Sequence, residues 1–150
     1  MNIKNSILII DDDKDVCFML KQIFNLNDYE VDTAMTGGEA IKKVRDRFFN
    51  VILLDIKLPD IEGTKLVPLL KKIHPTMKII IVSGFSYLNI SMKILDKWAL
   101  SYVVKPFDID ELLFKISEAI EKQCLIIDDR KMPEKTLVGC KQTGGYQKNE

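Results

Sequence analysis

A chain of 150 residues has room for one ordinary domain and little more. Its 22 Lys plus Arg balance 22 Asp plus Glu, so no net field draws it to nucleic acid or to an anionic membrane. Three widely spaced cysteines (Cys17, Cys124 and Cys140) and one histidine, His74, exclude a zinc cluster and make a disulfide framework unexpected, which points to a reducing compartment.

The start, Met1 to Ser6, is polar and lacks the apolar core of a signal peptide. Ile7 to Ile10 is a short apolar run that reads as a buried strand, and Asp11-Asp12-Asp13 follows it directly. Val16, Met19, Leu20, Ile23 and Phe24 then fall at helical spacing. A weaker strand, Glu30 to Ala34, leads through Thr36-Gly37-Gly38 to a stripe of Ala40, Ile41, Val44 and Phe48. Val51 to Leu54 is the third strand and ends on Asp55. Leu66, Leu69, Leu70 and Ile73 mark the third helix, with Pro68 expected near its start, where a missing donor costs least.

Lys78 to Val82 is the fourth strand and runs into Ser83-Gly84. Leu88, Ile94, Leu95 and Trp98 mark a looser fourth helix, with Trp98 read as core rather than as a partner anchor. Tyr102 to Val104 is the fifth strand, closed by Lys105-Pro106, and Leu112, Leu113, Ile116, Ala119 and Ile120 give a fifth helix. Its apolar spacing continues through Cys124 and Ile127, so the helix is expected to reach about residue 130 before Pro133 stops it. Residues 131–150 are polar and are expected to be disordered. No apolar run nears the ~18 residues needed to cross a bilayer. A soluble cytoplasmic protein is the expectation, with a folded domain over 1–123 and a helical extension and tail over 124–150.

Five strand-helix units predict a doubly wound α/β fold, a five-stranded parallel sheet with helices on both faces. Such folds bind ligands at the carboxyl ends of their strands. Asp11-Asp12-Asp13, Asp55, Ser83-Gly84 and Lys105-Pro106 all stand at that edge. Two carboxylates ~5 Å apart repel by about 3 kcal/mol at an effective dielectric near 20, so an acidic cluster calls for a cation. Oxygen ligands with retained water suit Mg2+. The expected ligands are Asp12 and Asp55 directly, Asp11 through water, and the Lys57 backbone carbonyl. A free oxygen of Asp55 is then a nucleophile for a phosphoryl group, with Lys105 and the Ser83 hydroxyl neutralising the transferred oxygens. Asp13 is read as a helix cap.

These positions resemble the response-regulator receiver family from about Ser6 to Gln123. The resemblance rests on Ile7-Leu8-Ile9-Ile10-Asp11-Asp12-Asp13, Leu53-Leu54-Asp55-Ile56-Lys57-Leu58-Pro59-Asp60-Ile61-Glu62-Gly63, Ile81-Val82-Ser83-Gly84 and Tyr102-Val103-Val104-Lys105-Pro106-Phe107. It implies a flavodoxin-like (βα)5 fold with strand order 2-1-3-4-5 and a cis Lys105-Pro106 bond. It implies Asp55 as phosphoacceptor, Asp11 and Asp12 as Mg2+ ligands, Lys105 as the phosphoryl clamp, and Ser83 with Tyr102 as a switch pair. In that scheme phosphorylation draws Ser83 inward and lets the Tyr102 ring turn from exposed to buried, altering the surface around the fourth helix and fifth strand. Gly84 and Lys57 depart from the commoner pattern, and Lys57 is expected to alter the lifetime of the phosphoryl group.

The implied partners are a sensor histidine kinase or phosphotransfer protein upstream, and a protein target downstream. If the chain is a fragment, an output domain beyond Glu150 takes the target's place; a phosphorylation-dependent homodimer is a further expectation. The chain itself is expected to bind no nucleic acid or membrane, and to catalyse only its own phosphorylation and dephosphorylation. A phosphorylation-independent adaptor is the rival reading. An aspartyl phosphatase is disfavoured because position 57 is Lys, which leaves no general acid there. A nucleotide site is disfavoured because no glycine-rich phosphate loop occurs.

Overall fold

A computed structural model describes residues 3–84, 95, 97, 98 and 100–130. Its strands are β1 (Ser6–Ile10), β2 (Glu30–Ala34), β3 (Val51–Asp55), β4 (Lys78–Ser83) and β5 (Ser101–Val104). All pair in parallel in the order β2-β1-β3-β4-β5. The helices among the described residues are α1 (Lys14–Leu26), α2 (Gly37–Asp46), α3 (Gly63–Ile73) and α4 (Ile109–Arg130). The helix expected between β4 and β5 lies largely outside the described residues; of its positions Leu95 and Trp98 have helical backbone. The expectation for 131–150 also lies outside them.

Strand periodicity divides the core. Leu8, Ile10, Ile52, Leu54, Ile79 and Ile81 point to one face and pack with Ala40 and Val44 of α2 and Leu66 and Leu70 of α3. Ile7, Ile9, Val51, Leu53, Ile80, Val82 and Val103 point to the other, against Leu20 and Phe24 of α1 and Leu112 and Ile116 of α4. Both faces are covered, which is why these strands are apolar along their whole length rather than alternating. β2 lies at the edge, and its mixed sequence Glu30-Val31-Asp32-Thr33-Ala34 matches that half-exposed place.

Helix starts follow capping chemistry. The Asp13 side chain accepts from the N–H groups of Asp15 and Val16 and caps α1. Thr36 caps α2 by accepting from Glu39 N–H, while Glu39 accepts from Met35 N–H. Pro68 departs from expectation. It lies inside α3 rather than in its first turn, because the helix already opens at Gly63, five residues earlier, where the Gly63 N–H is taken by the Ile56 carbonyl. Pro68 is exposed there, so the clash and lost bond of an interior proline fall on the solvent side. Cys17 is free and buried.

At the amino ends of the strands a buried polar network ties α4 to the sheet. Gln123 is fully buried; its amide donates to the carbonyls of Asn50 and Thr76 and accepts from Asn50 Nδ2 at 2.8 Å. Asn50 Oδ1 in turn accepts from the Ser6 N–H at 2.8 Å. The feet of β1, β3 and β4 are thus joined through Asn50 and Gln123.

Candidate functional site

Strand register builds the site. Ile10 lies beside Ala34 and Leu54, Asp55 beside Val82, and Ser83 beside Val104. Asp11, Asp55, Ser83 and Lys105 therefore follow one another along the carboxyl edge of the sheet. Lys105 is fastened there by its N–H, which donates to the Ser83 carbonyl at 2.7 Å, and the Lys105-Pro106 peptide is cis.

Ligand oxygens from Asp11, Asp12 and Asp55 all lie within 4.8 Å of one another. The Lys105 ammonium bridges two of these residues, donating to Asp11 Oδ2 at 3.1 Å and to Asp55 Oδ2 at 3.3 Å. Asp11 is buried, Asp55 and Lys105 are half-buried, and Asp12 and Lys57 are exposed. The second oxygen of Asp11 accepts from Asp13 N–H, and that of Asp55 accepts from Lys57 N–H at 3.2 Å. Lys57 forms an isolated antiparallel bridge with Glu62, so the loop after β3 folds back on itself.

The electrostatics are those of a crowded anionic site. Burial, then the charge of Asp11, hold the Asp55 carboxyl above the usual carboxylate range, against the opposing pull of Lys105. Burial also works against the Lys105 ammonium, but Asp11 and Asp55 together outweigh it and raise its pKa. Cys17 feels the same field. Burial first, then Asp11, Asp13 and Asp12, push its thiol up to about 11, so it stays protonated and donates to the Asp11 carbonyl. Three clustered carboxylates of this kind form an all-oxygen donor set that fits a hard divalent cation such as Mg2+.

Two glycines make the geometry possible. A Cβ on Gly63 would stand 2.5 Å from the Asp55 carbonyl oxygen and 2.7 Å from the Ile56 Cα, both backbone atoms with no room to yield. Gly63→Ala is therefore expected to displace the loop and destabilise the protein by about 1–3 kcal/mol, as overpacking does. Thermal melting checks this; an unchanged midpoint would contradict it. Gly37, at the start of α2, is closed off in the same way by the Ile61 side chain.

Asp60 was not singled out in the sequence as a functional position. Its two carboxylate oxygens accept from the N–H groups of Gly37 at 2.8 Å and Gly38 at 2.9 Å, and these bonds hold its carboxyl below the usual range. The partners are 22 and 23 residues away in sequence, so no local pattern announces the pairing. A Thr-x-x-Glu capping box at Thr36 and Glu39 was the one signal that free N–H groups would stand there.

Ser83 is buried, and its hydroxyl donates to the Gly84 carbonyl at 3.2 Å. Tyr102 is half-buried. It packs against the core with Leu95, Trp98 and Leu100, and its hydroxyl is enclosed without a hydrogen-bond partner. Trp98 packs on the same cluster, in keeping with its reading as core.

A family model described as the response regulator receiver domain matches residues 7–117. The chain belongs to this family. The receiver is 32% identical over 114 residues to the transcriptional regulatory protein ZraR of Klebsiella oxytoca, covering 76% of this chain and 26% of that protein. It is 31% identical over 116 residues to sporulation initiation phosphotransferase F of Bacillus subtilis, covering 77% and 90% respectively. Among solved structures, a CheY-like receiver domain protein from Methanospirillum hungatei JF-1 superposes with a TM-score of 0.76 at 40% identity, covering 81% of this chain and 97% of that one. The receiver thus spans about a quarter of the ZraR relatives it matches and nearly all of the sporulation phosphotransferase. It is a receiver domain of the two-component response-regulator type. No helix among the described residues is long and apolar enough to cross a membrane.

Proposed function

We propose that this receiver is a Mg2+-dependent switch of the cytoplasm that accepts a phosphoryl group on Asp55 from a sensor histidine kinase or phosphotransfer protein. The observation that carries this reading is the bridging of Asp11 and Asp55 by Lys105 within a cluster of three carboxylates. Asp11, Asp12 and Asp55 would hold the ion, with the Lys57 carbonyl as a further ligand. The bound Mg2+ would supply charge neutralisation for the transferring oxygens.

The rest falls to the chain. An Asp55 carboxylate oxygen attacks phosphorus; the new O–P bond forms as the donor's N–P bond breaks, and the electron pair leaves with the donor imidazole. Lys105, already within hydrogen-bond distance of Asp55, follows the negative charge onto the phosphoryl oxygens, and Ser83 turns from the Gly84 carbonyl to donate to another. The added charge, roughly −1.5 to −2, is what drives Ser83 inward. Tyr102 and the surface around it respond as a population shift. That surface meets a downstream protein or a C-terminal output domain, or pairs with a second receiver. The protein completes one transfer and its reversal, and is a switch rather than a turnover enzyme.

The test is intact mass after incubation with acetyl phosphate and Mg2+. Wild type gains one phosphoryl group, and Asp55→Asn gains none above background. Equal labelling of both, or no response of the wild type to acetyl phosphate or beryllofluoride, would favour the phosphorylation-independent adaptor. Relieved of one crowded charge, Asp55→Asn is also expected to melt higher than wild type in EDTA.

Lys57 stands exposed two residues beyond Asp55, with its backbone N–H already on the Asp55 carboxylate. Its ammonium is within reach of a phosphoryl group there, so Lys57→Asn is expected to change the phosphoryl half-life about threefold or more, in keeping with the ~0.6 kcal/mol or more that a partly exposed charge contact contributes. Equal half-lives for the two proteins would remove the idea.

A further inference from the structure

The loop between Asp55 and Gly63 is fastened at its base by the Gly63 N–H to the Ile56 carbonyl and by the Lys57–Glu62 bridge. Its tip reaches α2. Asp60 accepts from both Gly37 and Gly38 N–H, and Ile61 lies so close over Gly37 that a Cβ would collide with it. The helix has other support at this end: Thr36 already caps it through Glu39, and Gly38 is exposed, so water has access to that N–H. What gains from the contact is the loop, which acquires a two-point attachment.

The anchoring segment serves the other acidic loop as well. The Asp11 N–H donates to the Ala34 carbonyl at 3.0 Å, two residues before Thr36. Residues 34–38 thus abut both the loop that begins at Asp11 and the loop that begins at Asp55. A displacement of the second loop reaches Asp55 directly, because the Lys57 N–H holds Asp55 Oδ1.

We propose that Asp60 is a positioning residue for the metal-binding carboxylates: by clamping the Asp55–Gly63 loop to Gly37 and Gly38 it sets the spacing of Asp55 from Asp11 and Asp12. The clamp rests on the reading of these three residues as the Mg2+ site. It acts before any phosphoryl group arrives, by removing loop freedom that the ion would otherwise have to quench on binding.

The test titrates Mg2+ into the full chain and follows the backbone amide NMR signals of Asp11, Asp12, Asp55, Gly37 and Gly38. In Asp60→Ala the Gly37 and Gly38 amides lose protection from solvent exchange even without metal, and half-saturation needs about tenfold more Mg2+. At saturating Mg2+ the acetyl phosphate labelling rate returns to within about twofold of wild type, because Asp60 does not touch the transferred group. Asp60→Asn keeps one acceptor oxygen and falls between the two; it also serves if the alanine variant melts near the working temperature. A purely structural role would lower the melting point and leave the Mg2+ midpoint of the folded protein where it was, and that result overturns the clamp. Should the wild type bind Mg2+ yet take no phosphoryl group, the phosphoacceptor reading falls and the clamp is judged on the Mg2+ midpoint alone. Should the wild type bind no Mg2+, both fall.

Discussion

Lys105→Ala slows labelling of Asp55 by acetyl phosphate about 10²–10³-fold, the loss that follows when one preorganised group facing developing negative charge is removed. Lys105 Nζ lies 3.1 Å from Asp11 Oδ2 and 3.3 Å from Asp55 Oδ2, so it already stands beside the attacking carboxylate before the reaction. The same substitution acts in the opposite sense on the metal. With the ammonium gone, the carboxylate cluster carries one more uncompensated charge, and Mg2+ binds more tightly by roughly tenfold once solvent screening at the half-exposed lysine is allowed for. Slower transfer with tighter metal binding separates a charge role from a misfolded site, which would lose both. Labelling kinetics over a range of Mg2+ concentrations read the two quantities together. A labelling rate within about threefold of wild type would remove Lys105 from the reaction.

Gln123→Ala is the largest expected loss of stability. The side chain is fully buried and satisfies the Asn50 amide and the carbonyls of Asn50 and Thr76. Each buried group left without a partner costs about 1–3 kcal/mol, and the three share one site, so a total of about 3 kcal/mol is the working figure. For a domain of this size that lowers the melting midpoint by about 10 °C. Gln123→Met restores much of the volume but none of the hydrogen bonds, and recovers less than half of the loss. Below the transition both variants label Asp55 at the wild-type rate, since Asn50 stands just before β3 and Asp55 at its far end, about 16 Å apart along the strand. A melting midpoint within about 2 °C of wild type would show that solvent satisfies the exposed partners instead.

The two residues show how differently function and stability are written into a chain. Lys105 is legible because it ends a short apolar run, as Asp11, Asp55 and Ser83 do. A parallel sheet brings all strand ends of one polarity to one edge, so position relative to the strand implies position in space. Gln123 carries no such mark. It sits in a helix of mixed polar and apolar residues, and its burial depends on how the foot of α4 meets Asn50 and Thr76. The Asp60 pairing is hidden for the same reason, since an exposed acid after Pro59 has many equivalent readings until Gly37 and Gly38 are seen beside it. The interior position of Pro68 likewise turns on contacts that sequence spacing does not encode.

From the sequence alone came the alternation of strand and helix, the parallel sheet, and the set of acids, hydroxyl and lysine at its carboxyl edge. These rest on local periodicity and on the backbone's few ways of covering an apolar strand on both faces. Tertiary structure decided which polar groups pair across the fold and where α3 begins. Those outcomes depend on side chains distant in the chain competing for the same hydrogen bonds and the same space, and only the packed molecule resolves that competition.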